Sequence, residues 1–234
     1  MANTAVVYDR KFGDRILNFE ASGALWNASL VMRDRETDSW WSIMTSKSIG
    51  GTMESAELEE LSIGEKALWK DWVGRYPDTL VLSIEGREHI EDNAYDNYFA
   101  NDRTFRDMKI SDERLPPKEP IYAFWLGGQA VAVAHQDFEG GKVLNSRRHL
   151  KKTGLENVDL GDKRIVLFRS PGAAIFESTR AYLVPKKQLQ EVQTISNWLP
   201  RESGAEPEGF EALGGFDTFW YNWVSVNPET VLLD

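Results

Sequence analysis

The stretch Trp69-Lys70-Asp71-Trp72-Val73-Gly74-Arg75-Tyr76-Pro77-Asp78-Thr79-Leu80-Val81-Leu82 returns 151 residues later as Trp220-Tyr221-Asn222-Trp223-Val224-Ser225-Val226-Asn227-Pro228-Glu229-Thr230-Val231-Leu232-Leu233. Both copies read Trp-x-x-Trp-Val-x-x-x-Pro-acid-Thr and close on aliphatic residues. Tryptophan and proline are rare, so chance explains the match poorly. The repeat implies a duplicated unit, each copy ending in a short Trp-bearing helix and a terminal strand. In the first copy Leu68, Trp69, Trp72 and Val73 share one helical face at the 3.6-residue period. Ser62 with Glu65 reads as a capping box, and Gly74 and Pro77 stop the helix. Residues 80–84 then read as a strand. In the second copy Asp217 stands where it can cap, Trp220, Trp223 and Val224 share a face, and Pro228 terminates. Each tryptophan pair is expected to seat its helix on a sheet rather than to stack on a ligand.

Working outward, strands dominate. Residues 4–9 and 15–19 are expected to pair across a turn containing Gly13 and Asp14. Residues 29–34 and 39–45 flank the polar turn Arg35-Glu36-Thr37-Asp38, where Asp34, Arg35 and Thr37 are expected to form a network. Residues 58–63 form a further short strand candidate. Residues 121–125 and 129–134 are joined by Gly127-Gly128, and residues 164–168 and 174–176 suggest another hairpin. The segment 200–215 is acidic and Gly-rich, as a mobile loop is. Helices are few and no βαβ alternation occurs, so the expected class is mostly β (α+β), a barrel or sandwich of two related lobes. The lobes would span residues 1–86 and 121–234, with 87–120 connecting them, within one compact domain overall.

Composition narrows the chemistry. The chain has 234 residues, of which 41% are hydrophobic and 27% charged, as in an ordinary soluble globular protein. Its net charge of −10 disfavours nucleic acid, which needs clustered cations against phosphate. The most basic run, Arg147-Arg148-His149-Leu150-Lys151-Lys152, is short and reads as a solvated turn. No apolar run approaches the ~20 residues that span a bilayer, so no membrane insertion is expected. Residues 1–8 carry no basic region and no signal-peptide core, which points to the cytoplasm for the chain as written. There is no cysteine, which removes disulfides and thiolate chemistry. No phosphate-binding loop, dinucleotide fingerprint or zinc-protease motif occurs, so no cofactor is expected.

Few residues stand out as chemical. Lys118 lies in Pro116-Pro117-Lys118-Glu119-Pro120, where flanking prolines stiffen the backbone and aim the ammonium. His135 follows an apolar run and sits at a strand end, where it could act as a general base. The three histidines, His89, His135 and His149, show no metal-ligand spacing, and no metal is expected. Asp92, Asn93, Asp96, Asn97, Asn101 and Asp102 resemble calcium ligands by type only, without the loop spacing or its glycine. Nine tryptophans are many for this length. Trp26, Trp41, Thr45, Tyr95, Tyr98 and Trp125 are the candidate lining of a ligand groove between the lobes.

Taken together, several segments resemble a known family, the domain of unknown function numbered 3179. They are Thr4-Ala5-Val6-Val7-Tyr8-Asp9-Arg10, Ser22-Gly23, the run from Leu30 to Thr37, Ser39-Trp40-Trp41, Thr45, and Ile49-Gly50. Trp69 to Leu82, Tyr95-Asp96-Asn97-Tyr98-Phe99, Arg114-Leu115-Pro116-Pro117-Lys118-Glu119, and Phe219 to Leu232 complete the match. The resemblance implies a β-rich domain of extracytoplasmic or lipid-anchored type, without an established activity, and a matching lysine at 118. It also implies an extracytoplasmic location if the chain is a trimmed piece. Many members carry Cys-x-x-Cys before the Thr-Ala-Val-Val strand. Here Met1-Ala2-Asn3 stands there, so a thiol-based role does not carry over. Ser46 replaces a usual Gly, Ala94 a usual Pro, and His135-Gln136 a usual Tyr-Pro pair.

Three functions follow as expectations. The first is a binding module for a small organic or saccharide-like ligand in an aromatic-lined groove. The second is a cofactor-independent lyase, isomerase or hydrolase using Lys118, His135 and a carboxylate. The third is a structural or assembly protein, with Trp40 and Trp41 at an interface. The sequence leaves the oligomeric state open.

Overall fold

The computed structural model describes residues 2–61, 64–83, 85, 95–144, 150, 154–155, 158–175, 177–189 and 209–233. The first part of the chain carries β1 (Val7–Tyr8), β2 (Lys11–Phe12), β3 (Arg15–Ile16), β4 (Phe19–Trp26), β5 (Ser29–Asp34), β6 (Trp40–Ser42), β7 (Ser48–Gly50) and β8 (Glu60–Leu61). Helices α1 (Trp69–Arg75) and α2 (Asp96–Phe99) follow. Next come β9 (Pro120–Leu126), β10 (Gln129–Ala134), β11 (Lys142–Leu144), β12 (Lys163–Phe168), β13 (Arg180–Pro185) and β14 (Glu211–Ala212). The chain closes with β15 (Phe216–Phe219), α3 (Trp220–Val224) and β16 (Val231–Leu233). The protein is mostly β, as its sequence predicts.

Among the described residues three four-stranded sheets organise it, in the orders β4-β5-β6-β7, β15-β9-β10-β16 and β11-β12-β13-β14. None closes into a barrel. Alternation along β9 and β10 explains the packing, because successive side chains leave opposite faces. Tyr122, Phe124, Val131 and Val133 face Leu144, Ile165, Leu167 and Ala181 of the neighbouring sheet, which makes a sandwich core. Ile121, Ala123, Ala130 and Ala132 face the other way, under Trp220 and Trp223 of α3. The small alanines leave room for the two indoles, both fully buried. Met44 and Ala2 join this second cluster, so the first part of the chain packs on the same face.

The duplicated motif is asymmetric in three dimensions. Its helix forms in both copies. In the second copy all five residues of α3 are buried, and β16 then pairs in parallel with β10. In the first copy α1 buries no residue, and Trp69 is 56% exposed. Residues 80–83 form no strand, and Leu80 and Leu82 are almost fully exposed. The expectation that each lobe closes with a seated helix and a strand therefore holds for the second copy only. Among the described residues only the second copy lies over the alanines of β9 and β10, and the residues between the tryptophans differ to match. Tyr221 and Asn222 go inside, whereas their counterparts Lys70 and Asp71 would carry unpaired charge into the core. Trp72 instead donates its Nε1–H to Thr79 Oγ1 at 3.0 Å and packs against Tyr76, the rings tilted by 45°.

Other local expectations are corrected in the same way. β1 pairs with β8, and residues 15–19 do not pair with it; the hairpin is β2–β3. The partner of β12 is β13, not residues 174–176, of which 176 lies outside the described residues. No capping box opens α1: Leu68 is its N-cap without a side-chain bond, Ser62 lies outside the described residues, and Glu65 pairs with Arg75. Phe219, not Asp217, precedes α3 as its N-cap. The hairpin β5–β6 matches its prediction. Buried Asp34 accepts from Thr37 N–H at 2.6 Å and from Trp41 Nε1–H at 2.8 Å, while Arg35 pairs outside this network with Glu20. Residues 211–212 of the expected mobile loop form β14; residues 200–208 lie outside the described ones.

Candidate functional site

A cleft of about 560 Å³ opens between residues 65–75 and the facing ends of β12 and β13. Its lining includes Glu65, Lys66, Arg75, Arg169, Ser178 and Arg180. Backbone pairing sets one wall: Lys66 N–H donates to Ser178 Oγ at 2.6 Å, and Ser178 N–H returns a bond to the Lys66 carbonyl at 3.0 Å. Above it Glu65 receives Arg75 at 2.6 Å and Arg180 at 3.3 Å, so one carboxylate ties α1 to β13.

Behind this wall lies a buried polar cluster. His135 Nε2 is 2.8 Å from Asp217 Oδ1, and both residues are buried. Asp217 Oδ2 accepts Thr179 N–H at 2.8 Å, and Oδ1 accepts the Thr179 hydroxyl at 2.5 Å. Register places these groups. Asp217 of β15 lies opposite Tyr122 of β9, and His135 directly follows Ala134, which pairs with Ile121. Thr179 stands one residue before β13. Burial alone raises the Asp217 carboxyl, but the bond and charge of His135, then Lys66 and Thr179, hold it below the usual carboxylate range. Burial lowers the Lys66 ammonium, Asp217 opposes that, and Arg169 adds to it. The Lys66 Nζ donates to the Asn3 carbonyl at 2.7 Å. Arg169 is buried, and its guanidinium donates to the carbonyls of Ala173, Ala174 and Glu177. Such an arrangement can hold a polar ligand at Lys66 and keep an oriented imidazole nearby.

The residues singled out in the sequence fall in different places. Lys118 Nζ donates to the carbonyls of Tyr98 and Asn101 and lies 3.9 Å from the Tyr98 ring centre, pinning the α2 segment to the sheet. Lys118 and His135 thus have separate partners. Trp41 is core, between Phe12 and Phe19. Trp125 lies against Trp223, and Tyr98 shares a 2.8 Å hydroxyl contact with Tyr221. Trp26 and Tyr95 are exposed, and Thr45 is half-buried. Neither cleft is lined by Trp26, Trp41, Thr45, Tyr95, Tyr98 or Trp125. A second, more open cleft of about 850 Å³ runs along residues 108–114 beside Val224 and Pro228. His89, His149, Asp92 and Asn93 lie outside the described residues. Among the described residues no group of three His, Asp or Glu side chains could hold a metal ion, and no helix is long and apolar enough to cross a membrane.

Sequence reasoning missed Lys66, Arg169 and Thr179 altogether. Their one prior signal is type: a lone Lys, Arg or Thr inside a β-rich segment carries no spacing. Asp217 was visible only as a cap.

The fold and cleft define a β-sandwich-like protein with a charged recess at the ends of β12 and β13. The chain belongs to the family described as Protein of unknown function (DUF3179), whose model matches residues 1–230. No curated protein and no solved structure matches it.

Proposed function

We propose that the protein binds a small organic ligand in the cleft between residues 65–75 and the ends of β12 and β13. One observation carries this reading: Lys66 lines the cleft, bonded through its backbone to Ser178, and its charge acts on buried Asp217, which holds His135. The volume suits a small metabolite-sized molecule. An aromatic-lined groove has less support, because the candidate aromatics fall in separate clusters. Saccharide-like ligands stay within the reading through hydrogen bonds to Glu65, Ser178 and Arg180.

The test is a thermal-shift screen of small acids, polyols and amines against the native protein and Gly74→Phe. Gly74 lines the cleft, and a Cβ there meets nothing within 4 Å. A ligand at a hundredfold its Kd stabilises by about 2.7 kcal/mol. The native protein should respond to at least one class and the variant should not. No response, or equal responses, counts against the reading.

A second reading is a cofactor-independent lyase, isomerase or hydrolase. The buried 2.8 Å contact between His135 and Asp217 favours it, since a carboxylate that fixes an imidazole prepares a general base. Lys66 would then serve in place of Lys118. Turnover of any ligand found in the screen should fall at least a hundredfold in His135→Gln with binding retained.

A further inference from the structure

We propose that the ligand of this cleft carries an oxyanion, a carboxylate or phosphate group, seated against Lys66 and Arg169. The proposal rests on the binding reading above and narrows it.

Two cations stand at the cleft without a carboxylate of their own. Lys66 is half-buried and Arg169 is 5% exposed, and neither has an ion-pair partner among the described residues. The opposite charge that acts on Lys66 is that of Asp217. That carboxylate is already engaged by His135 and Thr179. Arg169 has only carbonyl partners. Withdrawing a cation from water is costly unless an opposite charge meets it, so the site gains most from an arriving anion. The lining as a whole is cationic, with five cations against three carboxylates. Lys66, Lys70, Arg75, Arg169 and Arg180 face Glu65, Asp71 and Glu177. Glu65 is taken up by Arg75 and Arg180, and Glu177 accepts the Ala174 N–H. A locally cationic recess in a chain of net charge −10 concentrates anions where the rest of the surface repels them.

The experiment is an amide-shift titration of the full chain with inorganic phosphate, succinate and, as a neutral probe, glucose. Native protein, Lys66→Met and Lys66→Arg are compared. Saturable shifts at Ser178 and Arg180 are expected with phosphate or succinate; whichever binds more tightly identifies the group. Lys66→Met should lose at least tenfold in affinity, and Lys66→Arg should recover most of it. Equal affinity in native protein and Lys66→Met overturns the proposal. Shifts with glucose alone overturn it while leaving the binding reading intact. No shift with any probe overturns the proposal, and if the thermal-shift screen is also blank the binding reading falls with it.

Discussion

Nε2 of His135, just past β10, lies 2.8 Å from Oδ1 of Asp217 in β15, with β9 between the two strands. The carboxylate also gathers two bonds from Thr179, so it joins the loop before β13 to the central sheet. Asp217→Ala would strand the imidazole, the Thr179 amide and its hydroxyl without acceptors. Losing one partner of a buried charged pair costs about 3–5 kcal/mol. Urea unfolding should show that loss, and a value below ~1 kcal/mol would mean water replaces the carboxylate freely.

The same carboxylate sets a pH dependence. Its folded pKa lies below the usual value, so the folded chain binds this proton less tightly than the unfolded chain. The associated stability is complete above the unfolded pKa of about 3.9 and is lost as pH falls through the folded value. The gap in urea midpoint between native protein and Asp217→Asn should hold near pH 7 and narrow below about pH 4. A gap that does not change with pH rejects the assignment.

Glu60 has the opposite sign. Burial raises its carboxyl, and the Gly215 N–H, which it accepts at 2.7 Å, only partly offsets that. The folded chain therefore holds this proton more tightly, and the stability it contributes fades as pH rises through the folded pKa. Glu60→Gln keeps an acceptor for Gly215 and removes the charge. Its Tm should exceed that of the native protein at neutral pH and converge with it in acid. Gly215 itself sits at φ +150°, where an added Cβ would lie 2.6 Å from the Ala123 carbonyl. Gly215→Ala should cost on the order of 3 kcal/mol by denaturant titration.

How much of this was legible follows from what periodicity encodes. β9 and β10 were readable because apolar runs bounded by Gly127-Gly128 determine a hairpin locally. The β5–β6 turn was readable because Asp34 and Thr37 bond their own neighbourhood. Strand partners were not, because β1 with β8 and β12 with β13 are chosen by tertiary packing across long separations. The cleft was invisible for a related reason. Lys66, Arg169, Thr179 and Asp217 come from four segments and are brought together by tertiary bonds, among them those of Lys66 to Ser178 and of Asp217 to Thr179. Lys118 read as a site because prolines flank it, yet it binds carbonyls of its own connecting segment.

The two tryptophan motifs give the last test, because similar sequences occupy dissimilar surroundings. Trp220 is fully buried over Ala123, Ala130 and Ala132, with Arg114 5.2 Å from its ring centre. Trp69 projects from a helix in which no residue is fully buried. Trp220→Ala should therefore cost about 3–5 kcal/mol, the range for emptying a large aromatic site. Trp69, 56% exposed, belongs to none of the core clusters among the described residues, and Trp69→Ala should change stability by less than ~1 kcal/mol. Lys70→Tyr with Asp71→Asn would give the first copy the residues that its twin buries. Because α1 has no alanine-floored sheet beneath it, this double variant should not raise stability. A gain in urea midpoint would mean that charge alone keeps the first helix from seating, and that its strand, Leu80 to Leu82, can form once the charge is gone.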